Sequence, residues 1–330
     1  FRSNRRNMNN LKKGLTALAG SLAIASVANA AEMSASGGAK LTYITEGGKQ
    51  GDVTGNPYGF DTNVNFSASG DTDVGTVAIS YTYNGSSVSS AALTIDMGDA
   101  GKFSIDRGTM IGAGADSYQD KTPRASGSEQ AWDDTDNDAY FIDVESTGAL
   151  GYSNTIEGVS FTAAYAKNGG GHADQFANVD AGDQSDKSFG AHMEAVAGLT
   201  LGGAYAETGG GGNKTINQST AFATYAIGPT TFGIQNTLVD NVTAGTDSDA
   251  LQYGVSFQVN DDLALSYSYR ETELGDGAKS GVSDPEDTGV AASYTMGSMS
   301  IVAFKNIADN VGGTAGTEDE TTQVYVSFAF

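Results

Sequence analysis

Nearly every recognisable segment of this chain alternates apolar and polar side chains with a period of two, and that alternation limits the fold more than any other feature. Residues 251–259 set Leu251, Tyr253, Val255, Phe257 and Val259 against Gln252, Gly254, Ser256 and Gln258. Residues 263–270 oppose Leu263, Leu265, Tyr267 and Tyr269 to Ala264, Ser266, Ser268 and Arg270, and 58–68 oppose Tyr58, Phe60, Val64 and Phe66 to Asp61, Asn63, Asn65 and Ser67. In residues 33–43, Ala35, Gly37, Ala39, Leu41 and Tyr43 face away from Ser34, Ser36, Lys40 and Thr42. Successive side chains of an extended strand point to opposite faces, so each segment is a two-faced strand. Helical spacing is hard to find after the N-terminal region. The same count gives sixteen candidate strands, centred near residues 39, 63, 79, 93, 104, 150, 163, 192, 203, 222, 234, 255, 267, 292, 302 and 326, with those near 150, 222 and 302 weakly patterned.

The connections alternate as well. Long polar stretches (46–57, 108–139, 168–187, 207–215, 239–249, 271–287 and 307–321) take turns with tight links such as Gly70-Asp71-Thr72-Asp73, Gly98-Asp99-Ala100-Gly101, Gly228-Pro229 and Asn260-Asp261-Asp262. The stretch near Asn84-Gly85 is a short member of the long class. All four prolines fall in connections, where a missing N–H costs no ladder bond. Long connections on one rim and short turns on the other are the pattern of a transmembrane barrel, with the long loops external and the short turns periplasmic. A soluble sandwich has no reason to segregate them. In a soluble barrel the apolar face fills the interior, whereas in lipid it points outward and the polar face lines the lumen. The polar faces here carry Ser, Thr, Asn, Gln, Asp, Lys and Arg, and many aromatics sit near strand ends. The expected fold is therefore all-β, a transmembrane antiparallel β-barrel of about sixteen strands, which is wide enough for water inside.

The N-terminal region reads differently. Residues 1–7 precede the first methionine, Met8, and are set aside. From Met8, Lys12 and Lys13 form a basic start, Leu15 to Val27 is apolar or small, and Ala28-Asn29-Ala30 is an A-x-A cleavage site, so 1–30 is expected to be upstream sequence plus a cleaved signal peptide and 31–330 the barrel. Residues 1–30 hold five of the 17 basic residues and no acidic ones, leaving 12 basic against 40 acidic, a formal charge of −28. Such a chain repels nucleic acid and anionic lipid head groups. The absence of cysteine excludes disulfides and thiolate sites. No apolar run after the signal approaches the ~20 residues of a membrane helix.

The last segment, Gln323-Val324-Tyr325-Val326-Ser327-Phe328-Ala329-Phe330, alternates strictly and ends on phenylalanine. It resembles the C-terminal strand of outer-membrane barrel proteins, whose terminal aromatic is read by the barrel-assembly machinery. The segment Leu11-Lys12-Lys13-Gly14-Leu15-Thr16-Ala17-Leu18-Ala19-Gly20, with the layout of 31–330, is similar to alphaproteobacterial general porins. That resemblance implies sixteen strands, a homotrimer in outer-membrane lipid, and a third long loop folded into the lumen as the constriction. The third long connection, 108–139, is also the longest; it holds Trp132 and the carboxylates Glu129, Asp133, Asp134, Asp136 and Asp138. Porins of this family oppose such a loop with wall arginines. Here strand parity turns only Lys40 and Arg270 clearly inward, with Arg107 at the loop entrance, so the basic side is thin.

Other motifs weigh less. Asp134, Asp136 and Asp138, with Glu145 eleven residues after Asp134, nearly spell a calcium loop, yet Ala139 replaces its usual glycine and no flanking helices are evident. The preferred reading is a solvated acidic lining, with Ca2+ as the lesser alternative. The glycine runs 169–171 and 209–212 lack the context of a phosphate-binding loop and read as external loop. His172 lies in such a loop and His192 faces the lumen by alternation; neither has a nucleophile at recognisable spacing, so no enzyme is expected. The expected function is passive diffusion of small hydrophilic solutes and ions, cation-preferring, with no cofactor required. A solute-specific binding channel is the alternative, and an adhesin a lesser one.

Overall fold

A computed structural model of the chain describes residues 32–48, 55–85, 87–107, 114–125, 130–131, 147–167, 185–209, 214–242, 247–275 and 282–330. They form sixteen strands: β1 (Glu32–Gly48), β2 (Tyr58–Thr72), β3 (Gly75–Asn84), β4 (Ser87–Asp96), β5 (Lys102–Arg107), β6 (Thr147–Ile156), β7 (Val159–Ala166), β8 (Asp186–Val196), β9 (Leu199–Gly209), β10 (Thr215–Ile227), β11 (Thr230–Asp240), β12 (Ser248–Gln258), β13 (Leu263–Leu274), β14 (Glu286–Met296), β15 (Met299–Asp309) and β16 (Glu318–Ala329). Each pairs antiparallel with its neighbours in sequence, and β1 pairs with β16 to close the barrel. Closure leaves no strand edge unpaired, the condition for crossing lipid with strands. The seam is pinned at its end by Phe330, whose N–H donates to the Gly37 carbonyl at 2.9 Å while Gly37 N–H donates to the Phe330 carbonyl at 3.0 Å.

Alternation decides the faces. On β12 and β13 the apolar side chains lie outside, with Tyr253 42%, Phe257 43%, Leu265 43% and Tyr267 44% exposed, while Gln252 and Ser268 on the inner face are 5% exposed. Buried polar and exposed apolar residues invert a soluble protein, as a lipid-facing barrel requires. Aromatics of the outer face include Tyr43 tilted against Tyr58 at 5.5 Å near the long connections and Tyr253 stacked on Tyr269 at 6.4 Å in mid-strand, while Tyr225, Phe232, Phe257, Tyr294 and Phe328 lie near the short turns.

All sixteen expected strand centres fall within strands, including the weakly patterned ones near 150, 222 and 302. Their ends run further than the side-chain pattern does. β2 continues through Gly70, Asp71 and Thr72, paired with Val77, Thr76 and Gly75, so the first tight turn is Asp73-Val74 rather than Gly70–Asp73. At the other rim β9 reaches Gly209, β13 Leu274 and β15 Asp309, inside stretches whose polarity reads as loop. Ladder bonds need backbone rather than apolar side chains, so the sheet extends beyond its apolar band, and Glu207 and Glu271 stand on its outer face there. In the turn between β6 and β7, Glu157 and Gly158 both take positive φ (51° and 82°), the type I′ geometry that matches strand twist. Residues 1–30, assigned to the upstream region and signal peptide, lie outside the described residues.

Candidate functional site: a segment seated in the lumen

Between β5 and β6 the described residues 114–125 and 130–131 do not lie over the rim but against the polar inner face. Ala115, Ala125, Gln130 and Ala131 are fully buried there and Tyr118 nearly so. Only a short 3-10 turn, Ala115–Tyr118, is regular, so most of the segment's peptide groups cannot satisfy one another. Buried peptide groups must find partners, and the wall side chains supply them. Gly114 N–H donates to Thr162 Oγ1 on β7 at 2.9 Å, and that hydroxyl donates back to the Gly114 carbonyl at 3.0 Å. Ala115 N–H donates to Ser188 Oγ on β8 at 3.0 Å. The Gln235 amide on β11 accepts from Lys121 N–H at 2.7 Å and donates to the carbonyls of Tyr118 and Gln119 at 2.7 and 2.8 Å. Further on, Ala131 N–H donates to Ser268 Oγ on β13 at 2.8 Å, and Asn306 Nδ2 on β15 donates to the Gln130 carbonyl at 2.7 Å. Gln130 in turn donates to the Thr122 carbonyl and hydroxyl at 2.8 and 2.7 Å, folding the segment on itself. A net ~1 kcal/mol per such bond is modest, but leaving a buried partner unpaired costs about 1–3 kcal/mol, so the path is strongly specified.

The segment thus follows the wall from β7 to β15. On those strands the inner face is largely buried, whereas on β1 and β2 inner residues such as Ser34, Asp61 and Asn63 stay exposed. The lumen is therefore asymmetric, with its solvated side along β1–β3.

The residues singled out in the sequence fall in different places. Lys40 and Arg270 do face inward. Lys40 stands opposite Asp61 in the β1–β2 register, its ammonium 5.2 Å from the Tyr325 ring centroid. Arg270 is 1% exposed, and both its Nε and its Nη2 reach Asp287 Oδ2 at 2.9 Å, with Asp287 fully buried, so its charge is matched across the β13–β14 ladder. Arg107 ends β5, paired through its backbone with Ala91 and Thr147. Glu129, Asp133, Asp134, Asp136, Asp138 and Glu145 lie outside the described residues, and with them the calcium reading. Among the described residues no group of three or more histidines and carboxylates is arranged to hold a metal. Phe330 is 79% exposed on the outer face it shares with Val324 and Phe328.

His192 also faces inward, and its Nδ1 lies 3.0 Å from the Tyr118 hydroxyl. Four further charged residues, Asp116, Asp120, Lys121 and Arg124, lie on the segment itself. Burial pushes the Asp116 carboxyl above its ordinary range. It pulls the Lys121 ammonium down, with Asp120 opposing the shift and Arg124 adding to it. The Lys121 ammonium lies 5.2 Å from the Tyr118 ring centroid. Their residue types gave no signal, because a polar stretch between strands reads the same whether it lies outside or folds in.

A closed sixteen-strand barrel with an apolar exterior, a polar lumen and an inward segment defines an outer-membrane channel protein. The family model of the Gram-negative porins matches residues 14–304, and the chain belongs to that family. Among solved structures, it is similar to OmpT, an outer membrane protein of Vibrio cholerae, at 12% identity with a TM-score of 0.63, covering 92% of this chain and 99% of that one. A mutant of the Rh. blastica porin is 14% identical with a TM-score of 0.60, over 91% and 100% of the two chains. A porin refined at 1.8 Å resolution is 16% identical with a TM-score of 0.62, again over 91% and 100%. No curated protein sequence matches. At these identities the structural likeness establishes the fold, and the family match carries the assignment to the outer membrane.

Proposed function

We propose that the barrel passes small hydrophilic solutes and ions by passive diffusion, prefers cations, and performs no chemistry of its own. The observation that carries this reading is the inward segment: a wide polar lumen is partly filled along β7–β15 and stays solvated along β1–β3, leaving an aqueous lane of restricted width. Selectivity in such a lane resides in width and lining charge. Arg270 contributes little net positive field because Asp287 neutralises it, which favours the cation reading, as does the excess of 40 acidic over 17 basic residues. The acidic run from Glu129 to Asp138 is assigned to the narrow part of the lane, by resemblance to the family's constriction loop.

The test is liposome swelling with the purified protein in graded sugars. Swelling that falls smoothly with solute size fits diffusion through a lane of fixed width. Saturation by one solute would instead favour the solute-specific binding channel, and no swelling would end the channel reading. The Leu11–Gly20 segment supports placement among the alphaproteobacterial general porins, and a homotrimer follows from the same resemblance. Heat-labile migration at about three times the monomer mass in mild detergent is the matching observation, and a monomer under all mild conditions removes that claim.

A further inference from the structure

Five inner-face residues on consecutive strands stand directly opposite one another. Gly233 on β11 pairs with Gly254 on β12, Gly254 with Ser268 on β13, Ser268 with Gly289 on β14, and Gly289 with Asn306 on β15. This row runs across the wall beneath the inward segment. Its two polar members make the bonds that hold Ala131 N–H and the Gln130 carbonyl. Its three glycines lie directly under the segment, as Gly190 on β8 lies under Tyr118. A β-carbon on Gly233 would stand 2.3 Å from Pro123 Cδ; on Gly254, 2.9 Å from the Pro123 carbonyl oxygen and 3.0 Å from Thr122 Cβ; on Gly289, 2.5 Å from Oδ1 of the anchoring Asn306 and 2.7 Å from Ala131 Cα. None of the three has the positive φ that favours glycine, so the backbone could carry a side chain and the constraint is space.

We propose that Gly233, Gly254 and Gly289 form a seat cut one side-chain layer deep into the barrel wall, and that this seat sets how far the segment projects into the lumen and hence the width of the channel. The inference rests on the channel reading for its functional half. Carbon–carbon contacts settle at about 3.5–4.0 Å, so a methyl at Gly233 must move Pro123 by roughly 1 Å or more, and the only free direction is away from the wall. The segment then narrows the lane without any change in its own sequence. The residues that fix pore width are thus partly wall residues that line nothing.

Gly233→Ala, Gly254→Ala and Gly289→Ala, each in the full-length protein, test the seat, with Gly70→Ala as control because nothing lies within 4 Å of its added carbon. The expected result is a loss of single-channel conductance in the three and not in the control. Pro123→Ala removes the Cδ that a methyl at Gly233 meets, so Pro123→Ala combined with Gly233→Ala should recover conductance toward that of Pro123→Ala alone. Hydrogen exchange at the wall-bonded amides of Lys121 and Ala131 should quicken in the glycine variants; it reads the seating without reference to conduction, so failure of the channel reading and failure of the seat are distinguishable. Parental conductance and exchange in the three variants would overturn the proposal. So would a Gly233→Ala defect, in conduction or in assembly, that Pro123→Ala leaves unrelieved.

Discussion

Arg270 and Asp287 show what single residues contribute. Parity along β13 turns Arg270 inward, but only the β13–β14 register puts Asp287 opposite it, and no local signal in the sequence names that partner. With side chains 1% and 0% exposed, solvent screens the pair little. Removing one member of such a pair strands a buried charge at a cost of about 3–5 kcal/mol. Asp287→Asn is therefore expected to lower the denaturation midpoint of the folded barrel in detergent. It should also move the reversal potential toward anions, because the inner wall then carries one negative charge fewer. An unchanged midpoint with unchanged selectivity would mean that the pair neither braces the wall nor shapes the field.

The informative elements are the inward segment and the strands that hold it. Gln235 is fully buried, and its amide serves three peptide groups of the segment and donates to Thr220 Oγ1 at 2.8 Å. Gln235→Ala leaves those groups without their partner, at about 1–3 kcal/mol for each that water cannot reach. The strands should survive, since none of their ladder bonds is touched. The expected reading is a noisier open channel with faster hydrogen exchange over residues 114–125, and a quiet channel would show that the other anchors suffice. The acidic run of the same connection makes a separate prediction. Replacing Asp133, Asp134, Asp136 and Asp138 with asparagine removes four charges at nearly constant size. Neighbouring charges of this run are at most two residues apart in the sequence, a reach of about 7 Å and less than the ~10 Å Debye length at 0.1 M salt, so in a confined lane they should set much of the cation preference. Reversal potentials across a salt gradient check this: a preference that survives all four substitutions would place the run on the external surface. Salt at 1 M, where the length falls to ~3 Å, should weaken the parent's preference.

For the whole molecule the decisive event is closure. Phe330 contributes in two separable ways: its backbone exchanges two hydrogen bonds with Gly37, and its ring stands exposed on the outer face. Phe330→Ala keeps the first and removes the second. If the ring is what the barrel-assembly machinery reads, the variant should reach the outer membrane in reduced amount yet conduct normally once folded. Normal assembly would leave Phe330 a role in closure alone. Deleting the residue removes both contributions and is expected to be the more severe change.

The strands, their facing and the inside-out barrel are legible in the chain alone, because each follows from side-chain alternation along a few residues. Alternation also places Lys40, Arg270 and His192 on the inner face by parity. It misjudges strand ends such as that of β2, since ladder bonds carry a strand past the last apolar residue. The course of the segment after β5, the wall residues that hold it and the match of Asp287 to Arg270 arise from long-range contacts. Those contacts join residues up to 176 positions apart. They depend on cross-strand register and on the space that wall glycines leave, and neither leaves a periodic trace in the chain.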